Sequence, residues 1–156
     1  MAIGTDSTIH FFGTQDSVDD GSTSAISNTA FSVAADITDW TNDDDAPLAT
    51  FVLKFQYPSG TIVADGIHLF AKLNNIDSTN DEDVPSASYP HHYLGTFVTD
   101  GGLSATVDQY IGLGPVALPN QYTSQSYSFY IQNDTNVTVS ASWTLKITPM
   151  TLGPHA

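Results

Sequence analysis

Apolar residues occupy every second position over one long stretch of this chain. The apolar set is Val137, Val139, Ala141, Trp143, Leu145 and Ile147, and between them stand Thr138, Ser140, Ser142, Thr144 and Lys146. Side chains of a strand point alternately to two faces, whereas a helix would scatter these residues around its circumference. The stretch therefore predicts a half-buried strand of an antiparallel sheet.

Similar runs recur along the chain, separated by segments rich in Gly, Pro, Asn, Asp and Ser. Strands are predicted over 8–12, 29–37, 48–57, 62–73, 91–98, 107–113, 127–131 and 137–148, with a hairpin connection at 132–136 and a long loop or surface arm at 13–28. About eight short strands in 156 residues predict a single all-β domain over 1–156. The expected architecture is an antiparallel β-sandwich of the jelly-roll type.

The charge inventory is strongly one-sided. The chain has 17 acidic residues, of which only Glu82 is a glutamate, against three lysines and no arginine, so its formal net charge is −14. Binding to nucleic acid or to an anionic membrane needs clustered Lys and Arg, so we expect neither partner. The charge suits a partner with a basic or neutral face, or else serves only solubility.

Several kinds of site are excluded or disfavoured by the residues present. There is no cysteine, which rules out disulfides and thiolate chemistry. The first residues, 1–6, have no basic region and no apolar run, so we expect no signal peptide, and no segment has the roughly 20 apolar residues of a membrane span. No catalytic motif of the G-x-S-x-G, P-loop or H-E-x-x-H type occurs, so we expect no enzyme, no catalytic residue and no cofactor.

Metal binding has two candidate sources, and both have a simpler interpretation. His91 and His92 are adjacent on a predicted strand, so they point to opposite faces and cannot readily close on one ion. The acidic loops 43–45 and 77–83 offer oxygen ligands of the kind Ca²⁺ uses, but neither has EF-hand spacing. Solvated loop charge is the simpler interpretation of both loops, and we predict no metal site.

Aromatic residues supply the binding candidates. Trp40 precedes the acidic turn 43–45, so it is either a partly exposed binding ring or a core plug at the end of a strand. Trp143 lies on the apolar face and is expected in the core. Tyr127 is predicted to face inward and Tyr130 outward.

Three phrases of the sequence stand out: Ala35-Asp36-Ile37-Thr38-Asp39-Trp40-Thr41-Asn42-Asp43-Asp44-Asp45-Ala46-Pro47, Tyr89-Pro90-His91-His92-Tyr93-Leu94-Gly95 and Ser142-Trp143-Thr144-Leu145-Lys146-Ile147-Thr148-Pro149. With these phrases the chain resembles small virion structural proteins of tailed bacteriophages, most closely capsid decoration (cement) proteins with β-sandwich or jelly-roll folds. The resemblance covers roughly residues 30–156. It implies a noncatalytic protein that binds the outer surface of the assembled phage head and bridges major capsid proteins.

The resemblance also implies a homotrimer, with contact arms at 1–28 and 149–156 that become ordered on docking. The candidate contact residues are Trp40, Tyr130, Pro149, Thr151, Leu152, Pro154 and His155. Two alternatives remain: a tail-associated module that binds a host receptor or glycan through Trp40 and exposed tyrosines, and a free carbohydrate-binding module.

Overall fold

A computed structural model describes residues 8–21, 23–62, 66–74, 82–89, 92–99, 103–119 and 124–154. Its strands are β1 (Thr8–Phe12), β2 (Asp16–Asp19), β3 (Trp40–Thr41), β4 (Leu48–Phe55), β5 (Gly66–Asn74), β6 (Tyr93–Val98), β7 (Gln109–Ala117), β8 (Ser126–Asn133) and β9 (Thr144–Pro154). A 3₁₀ turn spans Ala34–Asp36. No helix within the described ranges is long and apolar enough to cross a membrane.

The strands form two antiparallel sheets. One sheet has the order β1–β9–β4–β7, with β2 also paired to β9, and the other has the order β3–β8–β5–β6. Because β1 and β2 pair with different halves of β9, they behave as one interrupted strand. When β1 and β2 are counted as one, the described strands number eight. The first of these then pairs with the last, the second with the seventh, the third with the sixth and the fourth with the fifth. This is the jelly-roll order, and the predicted antiparallel β-sandwich is confirmed.

The core lies between the inner faces of the two sheets. Alternate residues of β4 and β8 point into it, and all of the following are buried: Phe51, Leu53, Phe55, Tyr127, Phe129 and Ile131. The rings of Phe51 and Phe129 meet edge to face across the sheets, with centroids 5.1 Å apart. Burying each side chain of this size contributes roughly 1.5–3 kcal/mol, so these inward rows supply much of the folding free energy.

Two predictions about the first part of the chain are wrong. The predicted loop 13–28 contains β2, because pairing with the edge of β9 satisfies its backbone even though its sequence is polar. The predicted strand 29–37 is irregular and runs along the edge of β8, where Ser32 N donates to Ile131 O at 2.8 Å. The 3₁₀ turn then redirects the chain, so this stretch makes only isolated bridges.

The predicted hairpin at 132–136 is also wrong, because β8 and β9 belong to different sheets. The connection crosses the end of the sandwich and places Val137, Val139 and Trp143 in the core, but Ala141 is exposed. Ser142 has a φ of 72°, which ends the extended run before β9 begins. The alternation over 137–143 thus arises from a connecting segment that buries alternate side chains without forming a ladder.

The two predicted contact arms are largely strands of the domain itself. The first arm contains β1 and β2. The second arm is the end of β9, in which Thr151 pairs with Phe11 of β1 and Pro154 pairs with Thr8. Pro149 falls between the stretches of β9 that pair with β2 and with β1, and Pro154 ends the strand. Neither missing N–H group therefore interrupts that ladder. His155 lies outside the described residues.

We predict that Gly21→Ala destabilises the fold by about 2–5 kcal/mol, as measured by urea unfolding. Gly21 has a φ of 48°, and a Cβ there would lie 2.4 Å from ring atoms of the buried Trp143. Gly112→Ala is the matched control, because the nearest atom to its Cβ would be Phe51 O at 3.9 Å. Equal losses in the two variants would contradict this interpretation.

Candidate functional site

A cleft opens at the edge of the sandwich where β2 of one sheet faces β3 of the other. Its volume is about 170 Å³, and its lining residues are Thr14, Asp16, Trp40, Thr41, Asp43, Asp44 and Pro149. Pockets for drug-sized ligands span roughly 300–1,000 Å³, so this cleft suits a single side chain or a small group.

Trp40 forms the apolar wall of the cleft. Its ring packs on Tyr127 and Phe129, with centroid distances of 6.0 and 6.2 Å, and its Nε1 donates to Asp16 Oδ2 at 3.1 Å. Only 8% of the residue is exposed. Burial raises the pKa of the Tyr127 phenol to about 12, as expected for a dry interior beside the tryptophan. Trp40 is therefore mainly a core plug, and a small part of it reaches the cleft.

The acidic wall is held in place by Asn42, which is buried. Asn42 Nδ2 donates to Ala46 O at 2.9 Å, and its Oδ1 accepts from Ala46 N at 2.8 Å. Asp45 has a φ of 50°, and its carboxylate accepts from Ser124 N at 2.9 Å. These bonds fix the turn that carries the two remaining acids, Asp43 and Asp44, at the rim of the cleft.

The lining combines three carboxylates, two hydroxyls and two apolar rings. Asp16 is positioned by β2 and by its bond to Trp40, while Gly13 N donates to Pro149 O at 2.9 Å and brings the adjacent chain against β9. Carboxylates beside an indole form a suitable environment for a cation with an apolar stem, as in Lys and Arg. The cleft has the chemistry to accept a basic side chain.

Tyr130 is not a surface contact residue. It is 4% exposed, and it lies on the outer face of β8 in register with Phe70. Burial raises the pKa of Tyr130, and the negative charges of Asp19 and Asp39 raise it further. The prediction that it faces outward was right about the sheet face and wrong about exposure, because that face is itself covered.

The other predicted contact residues divide between two places. Pro149 lines the cleft together with Trp40, so the structure brings these two together. Thr151 and Leu152 lie on β9 beside β1, away from the lining of the cleft, and Leu152 is 48% exposed. Pro154 is the last residue of that strand.

The carboxylates of the cleft were not predicted as one group. The adjacency of Trp40 to the acidic turn was visible in the sequence and indicated Asp43 and Asp44 as its neighbours. No local signal indicated Asp16, which reaches the cleft only because β2 pairs with β9.

A second surface feature lies on the outer face of the β5–β6 pair. Tyr93 is 55% exposed, and its ring meets those of Phe70 and His68 at 5.6 and 5.8 Å. Its hydroxyl is 2.5 Å from Thr96 Oγ1, which also contacts His68 Nδ1 at 2.7 Å. This is an exposed ring with hydrogen-bonding groups at its border.

The other candidate metal residues form no centre in the part of the chain described. His92 Nε2 lies 2.8 Å from Glu82 Oε1, while His91 and most of the loop 77–83 fall outside the described residues. No three His, Cys, Asp or Glu side chains among the described positions converge as a potential metal centre.

Comparison with known proteins finds one structural likeness. No family model matches the chain, and no curated protein matches it. The chain is similar over 92% of its length to a chain in the structure of infectious bursal disease virus Gx strain, with a TM-score of 0.43 and 16% identity. It spans 32% of that longer chain.

We predict that Asn42→Ala lowers the free energy of unfolding by about 1–3 kcal/mol, because it leaves the buried N–H and carbonyl of Ala46 without their partner. Urea unfolding measures the loss. Asn28→Ala, at an exposed turn position, is the control and is expected to have little effect. A stability of Asn42→Ala equal to that of the wild type would show that the turn does not depend on these bonds.

Proposed function

We propose that this chain is a noncatalytic capsid decoration protein, which binds the outer surface of a tailed-phage head and bridges major capsid proteins. The jelly-roll order supports this proposal by analogy, since such folds are common in viral capsid proteins and also in lectins. The resemblance of three sequence phrases points the same way and includes a homotrimeric assembly as part of the proposal.

The cleft between β2 and β3 is the observation that carries the proposal. It gathers Asp16, Asp43 and Asp44 around Trp40 and Pro149, two residues already expected to be contacts. The partner supplies a Lys or Arg side chain, whose charged end meets the carboxylates and whose stem contacts the small part of the indole that reaches the cleft.

Net charge makes a localised contact of this kind important. A chain of net charge −14 repels acidic surfaces, so a stable complex needs a site where the partner brings positive charge. Binding only to the assembled shell would stabilise that shell by mass action, as any ligand stabilises the state it prefers.

We predict that Asp44→Asn weakens binding to phage heads about 3- to 5-fold, as measured by co-sedimentation of the purified protein with heads that lack it. The estimate corresponds to roughly 1 kcal/mol for an exposed charge pair. The salt dependence of binding should also be weaker for this variant, because one screened interaction has been removed.

Asp83→Asn is the matched control, since Asp83 is an exposed aspartate that does not line the cleft. It removes the same unit of charge and should leave binding unchanged. Equal weakening by both variants would mean that only net charge matters, and no binding of the wild type to heads would reject the decoration role.

A tail-associated receptor- or glycan-binding module is the second candidate. The exposed Tyr93 ring, bordered by Thr96 and His68, favours it, because sugars stack on aromatic rings and bond to polar groups at their edge. Trp40 does not serve this role, since nearly all of its surface is buried.

If this second function holds, Tyr93→Ala should abolish glycan binding on an array or reduce it at least tenfold in solution. Tyr110→Ala serves as the control, because Tyr110 is similarly exposed but lies on β7 of the other sheet. Absence of glycan binding by the wild-type protein would remove this candidate and leave the capsid role.

A further inference from the structure

Two buried aspartates lie outside the cleft, and neither is fully satisfied. Asp19 is 1% exposed and Asp36 is 3% exposed. In each, Oδ2 is shielded from solvent and has no hydrogen-bond partner. A buried unpaired carboxylate oxygen is costly, and such a group usually marks a missing proton, water or ion.

The fold places these two carboxylates in one neighbourhood. Asp19 ends β2 and forms an isolated bridge with Ile37, the residue that follows Asp36. Thr38 N donates to Asp19 Oδ1 at 3.3 Å. The backbone and hydroxyl of Thr23 donate to Asp36 Oδ1 at 3.2 and 2.5 Å. The Oδ1 atoms therefore accept hydrogen bonds from neighbouring segments of the chain, whereas both Oδ2 atoms have no hydrogen-bond partner.

Both charges that raise the pKa of Asp19, those of Asp20 and Asp36, are negative. Lys54 pairs with Asp108 at 3.2 Å, Lys72 donates to Asn74 at 2.8 Å, and Lys146 is exposed on β9. Burial raises the pKa of Asp19 well above its usual value. The hydrogen bond from Thr38 N lowers this pKa, whereas the charges of Asp20 and Asp36 raise it. Asp36 is thus close enough to contribute to the raised pKa of Asp19.

We propose that Asp19 and Asp36 form a binding site for one hard divalent cation of the Ca²⁺ class, with their Oδ2 atoms as ligands. Two carboxylates balance the charge of such an ion, and both unpaired oxygens gain a partner. Ca²⁺ has roughly six to eight oxygen ligands in all, so backbone carbonyls and water would fill the roughly four to six positions that two monodentate carboxylates leave, and two acidic ligands suffice for a weak site. Sites of this kind have dissociation constants of roughly 10⁻⁴–10⁻³ M in extracellular modules.

The ion would fasten the N-terminal part of the chain to the sandwich. Asp19 ends β2, and Asp36 lies in the 3₁₀ turn, beside which Thr38 N donates to Val18 O of β2 at 3.0 Å. A cation shared by the two carboxylates therefore strengthens the contact between β2 and the 3₁₀ turn. The site is separate from the cleft, so it stands or falls independently of the proposed capsid function.

In the first experiment the full chain is treated with EDTA and then titrated with Ca²⁺, and the melting temperature is measured at each Ca²⁺ concentration. Saturation at about 100 times the dissociation constant should raise the melting temperature by roughly 5–10 °C. Asp19→Asn and Asp36→Asn should each remove most of that rise. Asp43→Asn, which alters an exposed aspartate of the cleft, should keep it.

A second measurement needs no variant and so does not depend on whether the variants fold. In ¹H–¹⁵N spectra of the wild type, Ca²⁺ should shift the amides of Asp19, Asp36, Thr23 and Thr38 together, with one affinity. Shifts confined to exposed acidic loops would overturn the proposal. So would no thermal rise at about 10 mM Ca²⁺, or an unchanged rise in both buried-site variants.

Discussion

Strand β9 is paired along both of its edges, and the arrangement of the other elements depends on this pairing. Its 11 residues hold β4 on one side and both β1 and β2 on the other. Without it, the polar β2 would have no ladder to join, since a short edge strand gains its stability from its neighbour. The same pairing places Asp16 and Pro149 at the cleft and Asp19 beside Ile37.

Sequence periodicity predicted the strands whose side chains alternate between core and solvent. The bounds of β1 were correct at both ends, and β4, β6 and β8 were found to within a few residues. Two kinds of segment escaped prediction for opposite reasons. β2 is a strand because of a partner distant in sequence, whereas 137–143 alternates without being a strand because it crosses between sheets. Period 2 reports which side chains are buried and does not report which backbone they pair with.

The cleft could be predicted in part. Trp40 and Pro149 were both recognised as contact candidates, but their convergence needed the pairing of β3 with β8 and of β9 with β4. Tyr130 failed as a candidate because the outer face of a sheet is exposed only if nothing covers it. Here the segment before the 3₁₀ turn runs along β8. The ring of Phe31 packs on that of Phe70, the cross-strand neighbour of Tyr130, with the two ring centroids 5.4 Å apart. That coverage is a tertiary contact with no local signature.

The acidic residues of this chain act in three environments, and the physical consequences differ. Solvated loop carboxylates contribute repulsion between copies, which is screened over about 8 Å at physiological salt. Those at the cleft are exposed enough to be screened and stand beside the indole of Trp40, an arrangement that favours a cation with an apolar stem. The buried pair is shielded from salt, so monovalent ions in solution do little to offset its charge. A salt titration is therefore expected to weaken the proposed docking at the cleft while leaving the proposed cation binding by Asp19 and Asp36 largely unchanged, and this separates the two proposals without mutation.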